Sequence, residues 1–156
     1  MSLHDYSPGG RALRWLYGVA TGLAVFTGMA QLPIMKRFYL ADLPGLAFSA
    51  DFYVTGDLHY LAAAALLLLL AWRLGLKARG GSFWYSWGPR SAWGWALLGV
   101  LIATGAVKAA RNAGVYLPPA LLLTADFTHL GAAMAFMFTG LGSLIKGRKA
   151  PAGEGA

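Results

Sequence analysis

Between Asp57 and Arg73 the chain passes fifteen residues without Asp, Glu, Lys or Arg, and the one side chain in that stretch that can take up charge near neutral pH is His59. Extended back to Phe52 the run reaches 21 residues, enough for a helix to cross a bilayer core, which takes about 20 residues at about 1.5 Å each. An ionisable group in such a run is costly and marks function by default.

Three further apolar stretches repeat the pattern. Trp15–Met35 is uncharged and flanked by Arg11, Arg14 and by Lys36, Arg37; Ala92–Val107 is uncharged up to Lys108; and Tyr116-Leu-Pro-Pro opens a run expected to stay helical to Ile145. Apolar residues make up 58% of the 156 positions, which excludes a soluble domain with a polar coat. The expected fold class is all-α, an integral membrane four-helix bundle at 15–145, with a cytoplasmic segment at 1–14 and a cytoplasmic tail at 146–156. The N-terminus has no A-x-A-like cleavage site, so the first run reads as a retained span. Phe38–Asp51 and the patch Phe83-Trp84-Tyr85-Ser86-Trp87 suit the headgroup level, where aromatic residues anchor.

The chain has no cysteine. This removes disulfides, thiolate zinc sites, cysteine-ligated iron–sulfur clusters and covalently attached haem. The net charge of +7 does not point to nucleic acid, because the cations sit in short clusters between apolar runs, as topology signals do. With four spans both termini share one side. Nine of the 13 basic residues fall there, namely Arg11, Arg14, Arg73, Lys77, Arg79, Arg90, Lys146, Arg148 and Lys149; four, Lys36, Arg37, Lys108 and Arg111, fall opposite. The positive-inside rule then makes both termini cytoplasmic, in a multi-pass protein of a bacterial inner membrane.

A short internal repeat links the spans. Gly22-Leu-Ala-Val-Phe-Thr27-Gly28 corresponds to Gly99-Val-Leu-Ile-Ala-Thr104-Gly105, and each is followed by a helix with a histidine near its outer end, His59 and His129. Gly and Thr also recur wherever membrane helices touch, which is the plainer reading of the same residues. The two histidines lie two and three residues beyond Asp57 and Asp126, at similar depth. Two neutral imidazoles from separate helices can ligate one haem iron axially. On this reading Gly28 and Gly105 open a slot for the macrocycle, and Lys36, Arg37, Lys108 and Arg111 pair its propionates or an acidic partner. Asp126, three residues before His129 on the same helical face, is the candidate acceptor for an Nδ1–H or a proton site. Asp57 points elsewhere. His4 reads as a solvated tail residue, and Met134 and Met137 as packing.

These residues resemble the four-helix b-type cytochrome subunits of membrane-bound formate dehydrogenases and nickel–iron hydrogenases. Thr27-Gly28 matches the element near the outer end of that family's first helix, His59 its second-helix ligand, and His129 the first histidine of its fourth helix. The family's Arg-x-x-His-Trp opening reads Arg11-Ala-Leu-Arg14-Trp15 here, and Ser143 stands where a second histidine would follow. The resemblance implies that one outer-side haem b is kept and the cytoplasmic-side haem is absent. It further implies a non-catalytic electron-transfer subunit of an oxidoreductase complex, linking a quinone pool (menaquinone or ubiquinone) to an extracytoplasmic iron–sulfur or multihaem cytochrome c subunit. The reading from a different class is a haem-free membrane anchor whose histidines bind quinone or hold helices together.

Overall fold

Four long helices account for most of the computed structural model, which describes residues 8–32, 40–79 and 92–147. They are α1 (Pro8–Ala30), α2 (Phe52–Ala78), α3 (Ala92–Asn112) and α4 (Pro119–Gly147), with two 3-10 turns, Leu40–Asp42 and Ala47–Ala50, before α2. No strand occurs among the described residues, so the class is all-α as expected. The chain divides into two compact units, Met1–Trp87 and Gly88–Ala156. Each is an antiparallel helical hairpin, α1 with α2 and α3 with α4.

Local chemistry sets the helix ends. Asp51 caps α2: its backbone is extended (φ −85°, ψ 113°), and its Oδ1 accepts the backbone N–H groups of Tyr53 (2.8 Å) and Val54 (3.2 Å). A cap of this kind satisfies otherwise orphaned donors. At the far end of α3, Gly114 takes φ +89° while the Val115 N–H donates to Ala110 C=O and the Gly114 N–H to Arg111 C=O, both at 3.0 Å. This pair of bonds is the Schellman stop, which favours glycine at the left-handed position. Pro118 C=O then accepts from Leu121 and Leu122, and Pro119 opens α4, where a missing N–H costs nothing.

The boundaries differ from expectation in ways that side chains explain. The first helix begins at Pro8, inside the expected N-terminal segment, and stops at Ala30, five residues short of Met35. Pro33 follows in the sequence, and the residue before a proline is pushed out of helical geometry. The second helix runs six residues past Trp72 to Ala78, since Arg73, Leu74, Leu76 and Lys77 are good helix formers; Arg73 is buried rather than part of a loop. The third continues five residues beyond Val107 and takes in Lys108 and Arg111. Basic Arg111 in its last turn favours the negative helix terminus.

The hairpins are closed by small residues and coated with large ones. Ala20, Thr27, Ala30 and Ala62 are buried in the first, and Gly94, Ala125 and Ala132 in the second, so backbones approach closely. Trp15, Leu61, Leu68, Trp93, Leu123, Phe127 and Phe138 are exposed. In water such a surface would be a liability; in lipid it is the solvated face. Three helices are long and apolar enough to cross a membrane, over Phe52–Leu76, Ala92–Asn112 and Pro119–Gly140, and the protein is a multi-pass membrane protein. At 23 residues α1 has the length, but Pro8, Gly9, Gly10, Arg11 and Arg14 in its first two turns make it less apolar than the other three. The aromatic patch at 83–87 lies outside the described residues.

Candidate functional site

Thr27, near the end of α1, has no exposed surface. Its hydroxyl donates to Leu23 C=O at 2.7 Å, the backward bond to the preceding turn that threonine makes in helices. The hydroxyl hydrogen is thereby occupied, and the oxygen faces α2, where Nδ1 of His59 lies 3.1 Å away. The same Nδ1 is 3.0 Å from Ala24 C=O. A carbonyl only accepts, so both contacts are satisfied together when Nδ1 carries the proton. In the neutral imidazole this leaves the lone pair on Nε2. Gly28 makes the approach possible: a Cβ there would lie 3.2 Å from Cε1 of His59.

The second hairpin repeats the arrangement. Thr104 donates its hydroxyl to Val100 C=O at 2.7 Å, and its oxygen lies 2.8 Å from Nδ1 of His129. A Cβ on Gly105 would stand 3.7 Å from Cε1 of His129, an ordinary contact. The Thr-Gly and histidine elements aligned in the sequence are thus brought together within each hairpin. In both, the space beside the glycine is taken by the edge of the imidazole of its own hairpin.

The remaining expected residues fall in different places. For the Nδ1–H of His129 the sequence puts forward Asp126, but that position is met by Thr104, and Asp126 Oδ1 instead pairs with Lys108 Nζ at 2.8 Å. An ammonium group is a stronger partner for a carboxylate than a neutral ring N–H. Lys108, put forward as a propionate partner, is committed to this pair, both side chains being part-exposed. Arg111 is exposed at the end of α3, Arg14 is exposed on α1, and Lys36, Arg37 and His4 lie outside the described residues. Ser143 falls within α4. Among the described residues no three His, Cys, Asp or Glu side chains converge on a point that could hold a metal ion.

Sequence reasoning missed the two threonines as hydrogen-bond partners of the histidines. The signal was present in the repeat, since Thr27 and Thr104 stand beside the glycines that admit the rings. Comparison with known protein families, with curated proteins and with solved structures returns no match.

Proposed function

We propose that this chain is a membrane-anchoring b-type cytochrome subunit in which His59 and His129 are the axial ligands of one haem b. The observation that carries the reading is the duplicated clamp on Nδ1. Ligating histidines almost always donate their second ring N–H to a carboxylate, carbonyl or water, which fixes the tautomer and raises ligand basicity. The contacts of both histidines fit that state, which leaves Nε2 as the lone-pair nitrogen. A haem bound there supplies one-electron transfer. The residues of the chain hold and orient the two imidazoles in a water-poor helical environment.

On this reading α1 is the fourth span, and the nine basic residues on the terminal side favour cytoplasmic termini in a bacterial inner membrane. The histidines then lie two to three residues inside Asp57 and Asp126, about 10 Å from the outer end of α2 for His59 and about 15 Å from that of α4 for His129. Electrons exchange with an extracytoplasmic iron–sulfur or multihaem cytochrome c partner and with a quinone, menaquinone or ubiquinone. Ligands for a second haem are missing, because guanidinium stays protonated at Arg14 and the hydroxyl of Ser143 is a weak iron donor.

A second reading is favoured by the same bonds: Thr27–His59 and Thr104–His129 are also helix–helix hydrogen bonds of the kind that hold membrane hairpins together, as a haem-free anchor or quinone-binding subunit would need. Asparagine separates the two, because its short amide can donate where Nδ1 does and has nothing at the position of Nε2. If the histidines are ligands, the purified wild-type chain shows a Soret band, and His59→Asn and His129→Asn fold but lose it. A wild-type chain without the band, or a six-coordinate spectrum retained in both variants, overturns the haem reading.

A further inference from the structure

Each threonine hydroxyl is itself oriented before it meets a histidine. Its hydrogen goes to the carbonyl four residues back, at 2.7 Å in both helices, so what it offers across the hairpin is a lone pair. Nδ1 of the facing ring, at 3.1 Å in the first hairpin and 2.8 Å in the second, therefore donates. In the first hairpin Ala24 C=O adds a second acceptor at 3.0 Å. Two chains of the same sense, carbonyl to hydroxyl to imidazole, occur in two hairpins whose Thr-to-His separations in sequence differ, 32 and 25 residues. Shared loop length did not produce them.

We propose that Thr27 and Thr104 are positioning residues that select the Nδ1–H tautomer of His59 and His129, so that Nε2 is the ligating atom and its basicity is set from behind. The proposal rests on the ligand reading above. A hydroxyl pulling on Nδ1–H places electron density on Nε2, which strengthens its bond to an electron-poor metal more than to an electron-rich one. Loss of the hydroxyl then weakens haem binding and raises the midpoint potential. A threonine that merely filled space would leave both unchanged when replaced by valine.

The test uses the full chain in detergent, as Thr27→Val, Thr104→Val, the double valine variant, and the matching serine variants. In the haem-free protein, ring ¹⁵N shifts of the histidines report the tautomer directly. The expected result is Nδ1–H for both rings in the wild type; in the double valine variant His129 loses that signature, while His59, which keeps Ala24 C=O, shifts less. Titrated with haemin, valine variants bind about 10- to 100-fold more weakly, the range typical for removing a hydrogen-bond partner of a metal ligand, and serine restores the wild-type behaviour. Thr27→Val alone has the smaller tautomer effect because Ala24 C=O remains. Wild-type haem uptake with unchanged tautomer, affinity and potential in the double valine variant overturns this proposal alone. A wild-type chain that takes up no haem overturns the ligand reading and this proposal with it.

Discussion

Alanine at Gly28 and at Gly105 should have opposite consequences, although the two glycines occupy matching places. A Cβ at Gly28 would meet Cε1 of His59 at 3.2 Å and Nδ1 at 3.5 Å, against about 3.5–4.0 Å for a relaxed carbon contact. The ring must therefore withdraw by a few tenths of an ångström, about 0.3 Å or more. It is tethered at 3.1 Å to Thr27 and at 3.0 Å to Ala24, and such a retreat takes these bonds toward the limit of about 3.5 Å. Weakening one net hydrogen bond costs about 0.5–1.5 kcal/mol, while replacing a mid-helix glycine by alanine stabilises by roughly 0.5–1 kcal/mol. The two terms nearly cancel for Gly28→Ala, with the balance on the destabilising side. At Gly105 the corresponding contact is 3.7 Å, so only the helix term acts and Gly105→Ala stabilises.

The predicted difference between the variants is about 1 kcal/mol, or about 2–4 °C in midpoint for a chain of this length. Circular dichroism melts in detergent measure it, and the haemin titration measures the accompanying displacement of His59. If the proposed haem site is right, Gly28→Ala should lose haem affinity and Gly105→Ala should keep it. Equal midpoints and equal haem binding in the two variants would refute the argument that His59 is packed tightly against α1.

Three further outcomes follow from the helix ends and the ion pair. Asp51→Ala removes the cap of α2 and should lower stability by about 1 kcal/mol, read as a fall in melting midpoint, with Asp51→Asn recovering most of it. Gly114→Ala forces a side chain into left-handed backbone and should cost about 1–2 kcal/mol, whereas Gly114→Asn should cost less; chemical unfolding of the two variants compares them. For Lys108 and Asp126, a double-mutant cycle with alanine should give a coupling of about 0.5 kcal/mol or more, with the double variant losing less than the two single losses added; strict additivity would show that the 2.8 Å pair contributes nothing.

The helices were legible because apolar runs bounded by cations have one reading in a chain this rich in Leu, Ala and Gly. Their ends were less so. The apolar pattern runs through Pro33 to Met35 in the first span, and in the second it ends at Trp72, where charge begins, although nothing in Arg73-Leu-Gly-Leu-Lys77 prevents helix. At the site, His59 and His129 stood out as ionisable groups in apolar surroundings, and the repeated Thr-Gly placed them in register. The hydroxyl bonds could not be read from the chain alone, because they require knowing which residue of α1 lies opposite which residue of α2. For the same reason Asp126 was assigned to its helical neighbour His129, while its ion-pair partner Lys108 lies 18 residues away in sequence and on the other helix of the hairpin.

The two hairpins share the clamp but not its electrostatics. Counting four residues on from Thr104 gives Lys108, and three back from His129 gives Asp126; the same steps from Thr27 and His59 give Gln31 and Gly56. The ion pair of the second hairpin is thus replaced in the first by an amide and a position with no side chain. Tight packing alone would ask for small residues at the crossing, which Gly28 and Gly105 already supply, and would leave the polar partners free to differ, as they do at these outer positions. The threonine-to-Nδ1 bond is thus the feature the two hairpins share, while the ion pair belongs to one helix pair.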